Sequence, residues 1–171
     1  YKTLIAVINE GEYDFERKKP LKIATLWVNV GARCLLSVRS SSLRSVGQLR
    51  QAIEAGETFR SPMALLIHLL QEQAEVLVSI VRTAAQAAND VDETLLAGRL
   101  PTRSILGGIR RDLVRLRRLL APEPAALFRL VNRPPHWVVE EDAQSLRQSA
   151  EAFSLTVLDM AGLQERIKLL E

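Results

Sequence analysis

The last thirty or so residues constrain this chain most. Leu146, Ala150, Phe153, Val157, Met160, Leu163, Ile167 and Leu170 follow one another at intervals of 4, 3, 4, 3, 3, 4 and 3. That is a near-heptad seam with one stammer, fit for packing along another long helix. The helix is predicted from Glu140 to the end of the chain, and its opening Glu140-Glu141-Asp142 suits the positive end of a helix dipole. Leu155 and Leu158 add apolar surface on a second side. At 1.5 Å per residue such a helix extends about 45 Å, longer than a small domain is wide. It must lie along other helices or project beyond the domain.

Upstream, the pattern begins with short periods. Tyr1 to Asn9 is β-rich, with Gly11 closing the run, and Glu12 to Pro20 is a charged connection. Leu21 to Asn29 and Arg33 to Arg39 read as two strands flanking a Val30-Gly31-Ala32 turn, which predicts a hairpin. Three strands make an incomplete sheet, and both chain ends read as cut from something longer. From Ser40 the period is helical throughout. Ser45 is the expected cap of a short helix to Ala55, with Val46, Leu49 and Ile53 inward and Gly56 as the stop. Ser61-Pro62 is an N-cap followed by proline at the first helical position, opening a helix to about Ala97 that Gly98 and Pro101 end. A third helix starts near Thr102 or Ser104, with Gly107-Gly108 weakening its first turn. Ile109, Leu113, Leu116 and Leu120 form its apolar stripe. Pro122 and Pro124 kink or restart it, and Arg133-Pro134-Pro135-His136-Trp137 is a rigid connector.

Composition narrows the classes. The chain has 171 residues, 47% hydrophobic, enough for a real core. The single cysteine, Cys34, excludes an internal disulfide framework; it reads as a small core residue in a strand. No apolar run approaches the roughly 20 residues needed to span a bilayer, and no secretory signal peptide is recognisable. The net charge of +3 is too weak to mark a nucleic-acid binder. Its distribution is uneven. Nine arginines between Arg99 and Arg133 face only Asp112 and Glu123, whereas Pro134 to Glu171 is net acidic. The basic helix either docks near acidic neighbours or forms a polyanion site.

Candidate chemistry is sparse. His68 precedes Glu72, and His136 precedes Glu140, by four residues each, but one such pair gives too few ligands for a metal site. Asp90, Asp92 and Glu93 could attract a divalent cation, or be solvated charge near a helix end. No phosphate-binding glycine loop, G-x-S-x-G, H-E-x-x-H or EF-hand pattern occurs. Trp27 and Trp137 are not interleaved with the arginines, so a stacking surface for single strands has no support. An enzyme reading has no residues to stand on.

The run Ile109-Arg110-Arg111-Asp112-Leu113-Val114-Arg115-Leu116-Arg117-Arg118-Leu119-Leu120-Ala121-Pro122 resembles a segment of the CorA-type metal-ion transporters, above all their zinc-transporter branch. The resemblance continues through Ala125 to Leu130, Trp137 and the acidic opening of the last helix. Leu26-Trp27-Val28 and Leu35 to Arg39 resemble the family's last cytoplasmic strand pair, and Ser61-Pro62 with its long helix also fits. The order of the pieces carries the identification.

The resemblance implies a helix-dominated α/β (α+β) fold, its small β-sheet incomplete and packed by helices. Residues 1–139 would be the C-terminal part of a cytoplasmic domain, and residues 140–171 a stalk helix leading toward an absent first membrane helix. It further implies a homo-oligomer, five subunits forming a funnel, attached through missing C-terminal helices to the cell inner membrane, with this domain on the cytoplasmic side. No cofactor is expected to be bound covalently, and no nucleic acid is an expected partner; zinc or magnesium is the transported or regulatory ion. The family's Gly-Met-Asn motif is not in this chain. Leu146, Phe153, Val157, Met160, Leu163, Ile167 and Leu170 are the expected stalk-packing residues. Glu151, Asp159 and Glu165 are the cation-attracting candidates if they face a shared lumen; otherwise they pair with the arginine helix. The competing class is a soluble helical scaffold with no membrane portion.

Overall fold

In the computed structural model the described residues are 3–14, 19–99 and 103–170. Three strands, β1 (Leu4–Asp14), β2 (Lys19–Val30) and β3 (Leu35–Arg39), are followed by five helices. These are α1 (Arg44–Glu54), α2 (Pro62–Leu96), α3 (Arg103–Leu120), α4 (Pro122–Asn132) and α5 (Glu140–Leu170). The expected fold class is the observed one.

The sheet is antiparallel in the order β1-β2-β3. The expected hairpin is β2–β3, pairing Val30 with Leu35 and Leu26 with Arg39. Gly11 does not end β1: the strand runs on to Asp14, and Gly11 pairs with Ile23 inside the ladder. Period-two alternation gives the sheet two different faces. Ile8, Leu26, Val28 and Val30 are buried in the core. Ile5, Val7, Trp27, Leu36 and Val38 lie on the other face and are exposed. Cys34 is likewise exposed, not a core residue, because it closes the loop between β2 and β3, where its carbonyl accepts from Gly31 N–H at 2.9 Å.

The first helix starts differently from expectation. Leu43, not Ser45, holds the N-cap position and offers no side-chain cap. Ser45 is buried inside the first turn. The missing cap comes from β1, whose Glu10 carboxylate accepts from the N–H groups of Arg44 at 2.7 Å and Ser45 at 3.1 Å. Two donors that an isolated helix would leave orphaned are thus satisfied by a strand. Val46 and Leu49 pack on the core as expected, whereas Ile53 is exposed, one turn too far along to reach it. Gly56, at φ 93°, ends α1 as expected. Its N–H reaches Ile53 O while Glu57 N–H reaches Ala52 O, a left-handed C-terminal stop that a side chain would strain.

Ser61 caps α2 through Ala64 N–H at 2.9 Å. Among the described residues, α2 is the one helix long and apolar enough to cross a membrane, a property the sequence reading did not find. Met63, Leu66, Leu69, Leu70, Leu77, Ile80, Ala84 and Ala88 of that helix are buried in the core instead. At its far end Gly98, with φ 70°, makes the same kind of stop as Gly56; Pro101 and Thr102 lie outside the described residues. Between α3 and α4 the chain stays helical through Ala121 (φ −54°, ψ −34°). The ladder breaks there because Pro122 and Pro124 have no N–H to donate.

Candidate functional site: the exposed face of the last helix

The long helix lies along its own chain. Asp142, 1% exposed, sits in the first turn of α5. Its Oδ2 accepts from Ser61 Oγ at 2.6 Å and its Oδ1 from Arg60 Nε at 2.9 Å; Arg60 also pairs with Glu141. One turn from the other end, Arg166 pairs with Asp92 at 2.5 Å. Early residues meet early residues and late meet late, so α2 and α5 run parallel. Between these ties Arg117 of α3 donates to Gln164 of α5 at 2.9 Å.

The heptad seam faces inward. Leu146, Ala150, Phe153, Met160 and Ile167 are fully enclosed and Leu163 is buried, while Val157 and Leu170 are half-buried against the same core. The partners are α2, α3 and α4 of the same chain. The opposite side of α5 is in the open. Glu151, Asp159 and Glu165 are exposed there, alongside Leu155 at 63%, Leu158 at 64% and Leu169 at 87% exposure. Glu151, Leu155, Leu158, Gly162, Glu165 and Leu169 succeed one another at 4, 3, 4, 3 and 4 residues, a second stripe along the same helix. Glu165 reaches Lys168 at 3.9 Å. Glu151 and Asp159 form no ion pair with α3 or any other described residue, and the acidic residues of α5 that do reach arginine are Glu141 and Asp142.

The remaining candidates separate. His68 Nε2 lies 3.8 Å from Glu72 Oε1, and its ring stacks edge-on to Phe59. That pair is isolated, and His136 and Glu140 are exposed on the connector and helix start. Asp92 is taken by Arg166, Asp90 accepts from Gln86 at 2.9 Å, and Glu93 is exposed. Among the described residues no three His, Cys, Asp or Glu side chains converge to hold a metal.

A polar cluster that sequence reasoning missed lies at the edge of β1 that no other described strand pairs with. Asn9 N–H donates to Glu123 Oε1 at 3.5 Å, and Gln73 Nε2 donates to Asn9 O and, at 3.4 Å, to Glu123 Oε2. Thr25 Oγ1 completes it by donating to Asn9 Oδ1 at 3.0 Å. Glu123 thereby covers a strand edge that would otherwise offer unpaired backbone groups. Burial pushes its carboxyl up to about 7, against the hydrogen bonds from Asn9 and Gln73, which lower it. In sequence, Pro-Glu-Pro read only as a break with one opposing charge; nothing local marked it.

The family model described as CorA-like Mg2+ transporter protein matches residues 2–170. The divalent cation transporter CmaX of Pseudomonas aeruginosa is 26% identical over 156 residues, 90% of this chain and 47% of CmaX. The full-length CmaX structure superposes with a TM-score of 0.84 at 22% identity, over 97% of this chain and 52% of that one. The zinc transport protein ZntB of Photorhabdus laumondii is 18% identical over 147 residues, 86% of this chain and 45% of ZntB. The soluble domain of CorA from Methanocaldococcus jannaschii gives a TM-score of 0.80 at 16% identity, covering 97% and 67%. The structural matches establish the fold, and the chain spans about half the length of the curated relatives.

Proposed function

Since the chain belongs to the CorA-like magnesium-transporter family, we propose that it is the cytoplasmic domain of an inner-membrane transporter for divalent cations, zinc or magnesium. In this reading residues 1–139 form the body and residues 140–171 the stalk that leads to the membrane part. Copies of the chain, five by family resemblance, set the exposed face of α5 around a common axis. The observation that carries the reading is the division of α5 into two faces. One is consumed by its own chain's core; the other presents Glu151, Asp159 and Glu165 to solvent.

The chemistry of that face supports attraction rather than tight capture. It offers carboxylates at separate levels of the helix, without imidazole or thiol, the ligands zinc prefers. Carboxylates suit hydrated magnesium, which dehydrates reluctantly and keeps several waters. A ring of such faces would concentrate divalent cations through its summed field. The domain's contribution is electrostatic, and no residue of this chain is assigned a chemical step.

The test is cation uptake by the full-length protein in vesicles, read with a fluorescent indicator for magnesium and, separately, for zinc. Glu151→Gln with Asp159→Asn should lower the initial rate roughly two- to tenfold at low cation and low salt. The deficit should shrink at saturating cation. Unchanged rates in the double variant remove the acids from the pathway. No uptake of either metal by the unmodified protein sinks the transporter reading, in favour of a helical scaffold.

A further inference from the structure

Four of the α3 arginines line an open groove that the cation reading leaves unused. It is open to solvent, has a volume of about 650 Å³ between α3 and the sheet, and is lined by Arg110, Arg111, Arg115 and Arg118 on one side. Opposite them stand Asn9, Thr25 and Ile23; Asn9 pairs with Thr25 across β1 and β2. Val114 and Leu119 complete the wall. The volume falls in the range of small-molecule sites, roughly 300–1,000 Å³.

We propose that this groove binds a phosphorylated small molecule of nucleotide size, with its phosphates on the arginines and its apolar part against Ile23, Val114 and Leu119. The placement of the cations comes from the helix. Ile109, Leu113, Leu116 and Leu120 are buried, which turns the stripe Arg111, Arg115 and Arg118 outward at intervals of 4 and 3 residues. No carboxylate is among the described residues lining the cavity. The Arg111 and Arg118 guanidinium groups there raise the local potential, and an anion relieves it.

Arg110 and Arg115 each hold an interaction of their own, so the inference rests most on the other two. Arg111 spends only Nε, on Gly107 O at 3.3 Å, leaving its terminal nitrogens for a ligand. Arg118 makes no hydrogen bond or ion pair with any described residue. Planar guanidinium forks match phosphate oxygens two at a time, and a polyphosphate can meet several of them at once. The polar floor adds the Thr25 hydroxyl oxygen, which gives its proton to Asn9 Oδ1 and is left to accept from a ligand hydroxyl, and the three aliphatic side chains offer a surface for a flat ring.

The experiment is calorimetric titration of ATP, tripolyphosphate and adenosine into the full-length protein, in chelator and without divalent metal, so that cation binding does not contribute. Saturable binding of ATP and of tripolyphosphate, with ATP the tighter and adenosine much the weaker, is expected. Arg111→Gln with Arg118→Gln should weaken ATP about tenfold or more. Arg50→Gln, on the exposed surface of α1, should leave affinity within about twofold. Both substituted arginines in the groove are exposed, so the double variant should fold with an unchanged melting profile. Raising salt from about 0.05 to about 0.5 M should weaken binding of the unmodified protein strongly. Absence of saturable ATP binding, equal affinity in the double variant, or adenosine binding as tightly as ATP overturns the proposal. Tripolyphosphate binding as tightly as ATP overturns the nucleotide assignment.

Discussion

Ser61 Oγ donates a 2.6 Å hydrogen bond to Asp142 Oδ2 while accepting from Ala64 N–H, so one hydroxyl caps α2 and anchors α5. The Asp142 side chain is only 2% exposed, whereas its ion-pair partner Arg60 is 49% exposed. Asp142→Ala therefore removes the acceptor from a buried site but leaves the arginine free to solvate. The expected loss is about 1–3 kcal/mol, seen as a lower urea midpoint with an unchanged slope. Asp142→Asn should lose less, because one oxygen acceptor survives. Equal stability of all three proteins would contradict the anchoring role.

Glu10 and Ser45 make a second such relationship. The carboxylate on β1 does for α1 what a local cap does for most helices. Glu10→Ala should cost about 1–2 kcal/mol and expose the amides of Arg44 and Ser45 to faster hydrogen exchange. Ser45→Ala should cost less, since the Ser45 hydroxyl has no hydrogen-bond partner among the described residues. A larger loss from Ser45→Ala than from Glu10→Ala would reverse this assignment.

These two anchors mark where sequence legibility ended. The helices of this chain could be read because each carries its own periodicity, with Ser61-Pro62, Gly56 and Gly98 as local punctuation. The inward seam from Leu146 to Leu170 was legible for the same reason, whereas the sequence left open whether Glu151, Asp159 and Glu165 meet the arginine helix. Glu10, Gln73 and Glu123 were not, because their roles depend on elements 34 to 114 residues away. A buried Glu in a strand and a Glu between two prolines have no local pattern that marks them. Gly11 misled for a related reason. Its pairing with Ile23 holds it in the ladder, and tertiary pairing overrides a weak local breaker. The arginines were legible as a basic helix with docking and anion binding both open, and the sheet that makes a groove beside them is invisible from α3 alone.

Glu123 sets a pH dependence with a definite sign. Its carboxyl is raised from 4.5 to about 7 in the folded protein, so the folded state holds the proton more tightly than the unfolded chain. Below about pH 4.5 both states are protonated and this group is neutral to stability. As pH rises from there to about 7, the unfolded state ionises first, and stability falls by on the order of 3 kcal/mol. The protonated carboxyl can also donate, and Gln73 Oε1 is a buried acceptor with no partner among the described residues. Glu123→Gln should flatten this part of the profile, becoming more stable than the unmodified protein above pH 7 and similar near pH 5. Urea denaturation at the two pH values checks it; parallel profiles for the two proteins would refute the assignment.

The two faces of α5 should respond oppositely to truncation. Phe153 is wholly enclosed among helices of its own chain, so Phe153→Ala should cost about 3–5 kcal/mol through lost burial and the cavity left behind. Leu155 and Leu158, with more than half of each exposed, should each change intrinsic stability by less than about 0.5 kcal/mol when replaced by alanine. They occupy the second stripe with Glu151 and Glu165, and that stripe is what α5 has left to offer another copy. If copies gather around it, Leu155→Ala with Leu158→Ala should weaken association in a sedimentation series over protein concentration, with unfolding unchanged under conditions where the protein is a monomer. Phe153→Ala should do the reverse, lowering stability even at dilution. A double leucine variant that assembles normally would place the contact between copies elsewhere and leave the outer face of α5 to its acids alone.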